Sequence, residues 1–267
     1  MKRFDLLGIH LTGTTLDEAV GTIVRWTQEA RRRSVRVFAV DSILKTRRDR
    51  RLVQIANESD MVLTDGMPLV FIGRRFAHLP ITRCYGPDVM LGVFDKGRAA
   101  GVRHYLYGGA DEETLRRLWE RLLGLFPGAN IVGSRVPPFR AMALGAPLDE
   151  EDEAAIRDIE QSGAQIVWVG LGTPKQDIWI ARVRERVSAP VMIAVGAAFN
   201  FHAGTVRQAP KWMMRCGLEW LFRLCAEPRR LWRRYILGNP LFIWLVLRQW
   251  LTRRPVRLGK VLEEGAP

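Results

Sequence analysis

The sequence predicts an α/β fold: a Rossmann-like, mostly parallel sheet flanked by helices, followed by a C-terminal helical appendage suited to a membrane surface. Three observations carry this prediction. Short apolar runs alternate with amphipathic stretches up to about residue 200. The residues that close those runs are mostly glycines and small polar residues. The last part of the chain is basic and rich in tryptophan. Alternation of this kind builds βαβ units and parallel strands. Ligands of such sheets bind beyond the carboxyl ends of the strands, so the closing residues are where a site is expected.

The apolar runs Val35–Val40, Met61–Leu63, Arg103–Tyr107, Asn130–Val132, Gln165–Gly170 and Val191–Gly196 read as strands. Helices are expected over 15–33, 43–57, 87–100, 111–125, 150–162 and 175–187. The first opens with Thr14 or Thr15 as its cap and carries Asp17 and Glu18 in its first turn. Residues 136–149 hold Pro137, Pro138, Gly145 and Pro147 and read as a loop. The residues that follow the runs are Asp41-Ser42, Thr64-Asp65-Gly66, Gly108-Gly109, Gly133-Ser134, Gly170 to Pro174, and Gly196 to Asn200. This pattern points to a nucleotide or a phosphorylated ligand.

Composition excludes several classes. A chain of 267 residues with 48% apolar residues can bury a sizeable core and is not intrinsically disordered. Three cysteines are too few and odd in number for a disulfide scaffold. No Cys-x-x-Cys occurs, which argues against structural zinc. A reducing compartment fits. Residues 1–15 show no secretory signal. The longest apolar run near the C-terminus, Leu241 to Leu247, stops at Arg248, well short of the roughly 20 residues that span a bilayer.

The net charge of +13 is unevenly placed: residues 203–267 hold 13 Lys+Arg against four Asp+Glu, and five of the nine tryptophans (Trp212, Trp220, Trp232, Trp244 and Trp250). A basic, aromatic segment can bind nucleic acid through phosphates and bases. It can lie in an anionic membrane interface, or it can simply be a solvated face. Leu218, Leu221, Phe222 and Cys225 follow helical spacing, and Leu241, Trp244, Leu245 and Arg248 repeat it. An apolar helical face needs an apolar partner, which favours the membrane over nucleic acid. The composition shift near 203–210 divides the chain into a core, residues 1–204, and an appendage, residues 205–267.

Within the core, Asp65 at a strand end could act as a general base toward a hydroxyl, or be a turn residue before a flexible Gly66. Gly170-Leu-Gly-Thr-Pro174-Lys175-Gln176-Asp177 is a strand, a glycine turn and a helix opening at Pro174. It offers an anion-binding helix N-terminus or a plain βα turn. It is neither a Walker A loop nor Gly-x-Gly-x-x-Gly, which weakens a nicotinamide-dependent oxidoreductase reading. Arg83 could neutralise a departing diphosphate or stand at the surface. His10, His78, His104 and His202 have no metal or triad spacing, and no Asp-x-Asp is present, so no metal site is expected.

Taken together, these motifs resemble the WecG/TagA/CpsF family of bacterial glycosyltransferases. The carrying residues are Thr64-Asp65-Gly66, Arg83-x-x-Gly86-x-Asp88, Tyr107-Gly108-Gly109, Gly170-x-Gly172-x-Pro174-Lys175-Gln176-Asp177 and Val195-Gly196-x-x-Phe199. The tail adds Gln208-Ala209-Pro210, Gly217-Leu218-Glu219-Trp220-Leu221-Phe222-Arg223-Leu224, Glu227-Pro228-Arg229-Arg230 and Arg233-Arg234-Tyr235. The resemblance covers roughly residues 5–245 in collinear order.

It implies inverting, metal-independent transfer of a sugar from a UDP-sugar to a polyprenyl-diphosphate-linked saccharide. The products of such enzymes are exopolysaccharide, teichoic acid linkage units or enterobacterial common antigen. It further implies a cytoplasmic enzyme held peripherally on the inner face of the plasma membrane, with no cofactor beyond the donor. By motif position, Asp65 is the expected base, Arg83 supports the diphosphate, and Gln176 matches the family's active-site glutamine. Gly108, Gly109 and Gly172 are expected to line the nucleotide pocket. Arg215, Arg223, Arg229 and Arg230 are the candidates for the lipid diphosphate. Two positions depart from the family pattern. Asp41 stands where Asn is common, and Asn200 follows Phe199 where Asp is common. Both are expected near the donor, and both admit a sugar other than N-acetylmannosamine, such as glucose or a uronic acid.

Overall fold

The computed structural model describes residues 1–252 and 261–262, apart from the side chains of Lys211, Arg215 and Val261. Its centre is a six-stranded parallel sheet of β3 (Arg33–Phe38), β4 (Met61–Thr64), β5 (Arg103–Gly108), β6 (Asn130–Arg135), β7 (Ile166–Gly170) and β8 (Val191–Ala194), in the order β4-β3-β8-β7-β5-β6. Every residue of β4 and β8 is buried, as is β7 up to Val169. Helices cover both faces of a parallel sheet, so its strands read as continuous apolar runs rather than alternating ones. That is why the inner strands are legible in the sequence, while the edge strand β6, with Ile131 its one buried residue, shows only as the short run Asn130–Val132.

The core helices are α1 (Leu16–Trp26), α2 (Val40–Thr46), α3 (Arg50–Glu58), α4 (Met67–Phe76), α5 (Gly86–Gly97), α6 (Glu112–Leu125), α7 (Glu150–Ser162), α8 (Lys175–Val183) and α9 (Ala198–His202). Reciprocal capping boxes open two of them, Thr15 with Glu18 and Asp149 with Asp152. Gly163, at φ 62°, closes α7 where the sequence places its end. The expected helix over 15–33 stops at Trp26. The one expected over 43–57 is two helices, because Asp49 leaves helical geometry and its side chain caps Arg51 N. Helix α4 has no counterpart in the sequence reading; it opens behind Gly66 with Pro68 in its first turn.

A second small sheet also went unread. β1 (Arg3–Leu6) and β2 (Ile9–Thr12) form an antiparallel hairpin. Its two-residue turn puts both Leu7 and Gly8 at positive φ, the geometry that tight hairpins require. A short strand, β9 (Val261–Leu262), adds to the free side of β1. Phe4, Leu6, Ile9 and Leu11 face inward at alternate positions.

After the core come α10 (Lys211–Arg215), α11 (Glu219–Ala226), α12 (Pro228–Trp232), a π-helical turn (Arg233–Leu237) and α13 (Gly238–Leu251). Phe242 and Leu245 of α13 belong to the same apolar cluster as Phe4, Leu6, Ile9, Leu11 and Ile43. Gln249 ties α13 to the hairpin, donating to Asp5 Oδ1 at 2.7 Å and accepting from Leu7 N at 3.0 Å. The C-terminal helices are therefore packed onto the core. Among the described residues, no helix is long and apolar enough to cross a membrane.

Because Leu245 is buried in this shared cluster, Leu245→Ala should cost about 2–5 kcal/mol. The check is the urea unfolding midpoint. An unchanged midpoint would mean that α13 is not seated as described.

Candidate active site

From β3 the chain runs toward one edge of the sheet, and from β5 toward the other. The carboxyl ends of β3, β8 and β7 lie between those departures, where parallel sheets open a crevice. Two cavities occupy this region. The smaller, about 190 Å³, is walled by the loops after β3, β7 and β8, with Ser42, Lys45, Gly172, Gln176, Gly196 and Phe201 among its residues. The larger, about 680 Å³, lies between α4 and the C-terminal helices and is mostly apolar, with Met67, Trp220, Tyr235, Ile236, Phe242 and Ile243 in its wall. Ala39, Asp65, Arg223 and Arg234 line both.

Asp65 thus stands at the junction. It follows β4 directly, and its backbone N–H donates to Phe38 O at 2.9 Å, fixing it beside the end of β3. Burial pushes its carboxyl up to about 6, against the opposing pull of Arg83. Arg83 donates from Nε to the Asp65 carbonyl at 2.5 Å and from Nη2 to Asp65 Oδ1 at 3.2 Å. The same Nη2 reaches Glu219 Oε2 on α11 at 2.5 Å. The guanidinium also lies over the Tyr85 ring, 4.2 Å from its centroid. Its carboxylate partners hold Arg83 charged, with its pKa above the ordinary arginine value despite burial.

Gln176, in the first turn of α8, is almost fully buried. Its Oε1 accepts from Gly172 N at 3.1 Å and from Gly196 N at 2.9 Å, so one side-chain oxygen clamps the loops after β7 and β8. Below it, Asp177 pairs with Arg36 of β3 at 3.5 Å, both nearly inaccessible, and pins the start of α8 to the sheet. Burial raises the Asp177 carboxyl to about 6 and lowers Arg36. Asp41 meets Lys45 Nζ at 2.9 Å and Arg234 Nε at 3.5 Å, so its charge is compensated within the site.

The structure therefore gathers Asp65, Arg83, Gln176, Asp41, Gly172 and Arg223 around the two cavities. Gly108, Gly109 and Asn200 are outside the linings. Gly108, at φ 128°, serves packing: a Cβ there would lie 2.7 Å from the Gly170 carbonyl carbon. Arg229 and Arg230 are exposed on α12, with Arg230 paired to Glu227 at 2.7 Å. The prediction for Arg215 falls on a side chain outside the described residues.

Sequence reasoning did not single out Glu219, Arg234, Trp220 and Tyr235 as site residues. Glu219 and Arg234 both sit inside motifs that carry the family resemblance. Spacing alone does not tell which arginine of Arg229, Arg230, Arg233 and Arg234 turns inward, because the π-helical turn shifts the phase of the helix there.

Comparison with known proteins identifies the family. The glycosyl transferase WecG/TagA/CpsF family matches residues 4–256. A relative from Bacillus spizizenii, an N-acetylglucosaminyldiphosphoundecaprenol N-acetyl-beta-D-mannosaminyltransferase, is 28% identical over 212 residues, covering 79% of this chain and 77% of the relative.

Replacing the Gln176 acceptor leaves two backbone N–H groups unmet, so Gln176→Leu should cost about 1–3 kcal/mol. Amide hydrogen exchange at Gly172 and Gly196 should accelerate with it. Unchanged protection at both amides would refute the clamp.

Proposed function

The chain belongs to the WecG/TagA/CpsF family of glycosyl transferases, and from that premise we propose that it transfers a sugar, with inversion, from a UDP-sugar to a polyprenyl-diphosphate-linked saccharide in the assembly of an exopolysaccharide or another cell-envelope polymer. The observation that carries this reading is the position of Asp65, at the meeting of a small polar cavity and a large apolar one. The first has the character of a sugar-nucleotide site, and the second that of a site for a lipid-linked acceptor. The activity of the Bacillus spizizenii relative, which acts on a diphosphoundecaprenol-linked sugar, supports the same substrate classes.

In this mechanism the Asp65 carboxylate accepts the proton of the acceptor hydroxyl. The oxygen attacks the anomeric carbon on the face opposite the diphosphate, and the bond from that carbon to the UDP oxygen breaks. A single displacement of this kind inverts the configuration. A base near pKa 6 is ionised at neutral pH and still basic enough to accept the proton. Charge that develops on the departing UDP falls beside Arg223 and Arg234, which line both cavities, with Arg83 next to Asp65 in the wall of the larger one. We assign the stabilisation to these arginines and no role to a metal.

The surface suits a peripheral position on the inner face of an anionic membrane. Trp212, Ile243, Trp244, Leu247, Trp250 and Leu251 are exposed on the C-terminal helices. The apolar cavity is walled by Ile243 of α13 on that side. Aromatic and aliphatic side chains beside arginines bind the acyl boundary and the headgroups respectively.

Asp65→Asn should abolish transfer while leaving UDP affinity and melting temperature close to the parent. Substantial residual activity would remove Asp65 from its role. In the parent, kcat/KM should rise about tenfold per pH unit up to about 6 and then level off, since only the ionised carboxylate accepts a proton. A flat profile between pH 5 and 7 would count against the assignment. Trp244→Ser with Trp250→Ser should release the protein from phosphatidylglycerol vesicles in a flotation assay with its fold intact. Undiminished flotation would rule out α13 as the contact.

A further inference from the structure

Helix α11 brings a second carboxylate to the base, and nothing in the displacement mechanism uses it. Glu219 is about as buried as Arg83, with side chains 16% and 18% exposed, and takes a short contact from it, 2.5 Å from Nη2 to Oε2, against 3.2 Å from the same nitrogen to Asp65 Oδ1. The other donors of Arg83 are distributed in a telling way. Nε is given to the backbone carbonyl of Asp65, and Nη2 is divided between Glu219 and, at 3.2 Å, Asp65 Oδ1. An arginine beside a free carboxylate ordinarily closes on it with two short bonds. Here the carboxylate of Asp65 receives one long bond.

We propose that Glu219 is a positioning residue: it holds the Arg83 guanidinium off the Asp65 carboxylate, which stays free to take a proton from the acceptor. The proposal rests on the reading of Asp65 as the base. It adds that the base is completed by a residue from the C-terminal helices, although the strand and loop that carry Asp65 belong to the core.

The charges around Asp65 argue for the same role. From the segment before α5 it faces Arg83, with Cys84 and Tyr85 neutral beside it. From α11 it faces Arg223 and Glu219. Arg234, on the π-helical turn, lines the same cavities and is itself engaged by Asp41. Glu219 is thus the counterweight to the guanidiniums about Asp65. Its negative charge raises the Asp65 pKa, while Arg83 and Arg223 lower it. Without it, Arg83 Nη2 is released to shorten onto Oδ1, and an opposite charge at that range lowers a carboxyl by about 1–3 pH units. The carboxylate would then be a weaker base, held in a tighter ion pair.

The test uses the full chain labelled with 13C at aspartate carboxyls. The Asp65 signal is assigned by its loss in Asp65→Asn. In Glu219→Gln, which keeps the size and one acceptor oxygen, the Asp65 titration midpoint should fall by at least one pH unit. The acidic limb of kcat/KM, measured with a short-chain polyprenyl-diphosphate saccharide and a UDP-sugar panel, should move down with it, and kcat at neutral pH should drop at least tenfold. Donor KM and melting temperature should stay near the parent values, and Glu219→Asp should restore part of the shift. An unmoved Asp65 midpoint in Glu219→Gln overturns the proposal, whatever happens to activity. Should Glu219→Gln unfold, Glu219→Ala takes its place, and an Asp65 midpoint there equal to the parent's overturns it likewise. Retained transfer in Asp65→Asn instead overturns the base reading beneath it, so the two failures are distinguishable.

Discussion

The site depends on one apolar contact: the burial of Phe242 and Leu245 of α13 in the cluster shared with the β1–β2 hairpin. That hairpin has no place in the parallel sheet. Its inward face, Phe4, Leu6, Ile9 and Leu11, gives the C-terminal helices a surface to rest on. With α13 seated there, the π-helical turn and α11 are carried over the carboxyl ends of β3 and β4. Glu219, Arg223 and Arg234 arrive as a consequence. The large cavity exists because its two walls, Met67 on the core side and Tyr235 to Ile243 on the other, are held apart by this packing.

Around Asp65 the electrostatics follow from that geometry. A single aspartate among several guanidiniums would be a poor base, locked into ion pairs and fully ionised well below neutral pH. Partial burial works against this, and so do the companion carboxylates: Glu219 engages Arg83, and Asp41 engages Arg234. The positive charge needed for two diphosphates is thereby kept close to the carboxylate without closing on it. Gln176 in the wall of the small cavity and the buried Arg36–Asp177 pair behind it hold the loops that form that cavity.

Much of this was legible before the fold was known. Both faces of the inner sheet are covered, so β4, β7 and β8 are runs of buried residues bounded by glycine or a polar residue. Asp65 and Gly172 could be placed because they follow such runs closely, where any parallel sheet presents its ligands, whereas Gln176 was placed by the family resemblance. The hairpin was missed because its strands are four residues each and their apolar residues alternate with polar ones. The helix expected over 43–57 breaks because Asp49, one polar residue among several, adopts a capping geometry that tertiary packing selects.

What the sequence determined by itself was the class of fold, the family, and the chemistry available at strand ends, since these depend on residue type and order along the chain. What only the tertiary structure decided was which of the many arginines in the tail face inward, and which acid they meet. Arg229 and Arg230 point to solvent while Arg223 and Arg234 line the cavities, although all four lie within a dozen residues. The break between α11 and α12 at Glu227 and the π-helical turn at Arg233–Leu237 change the helical phase between them, and α13, packed on a hairpin more than 200 positions earlier, follows directly on that turn. Local spacing carries no record of so distant a contact, because burial and charge pairing are properties of the assembled surface.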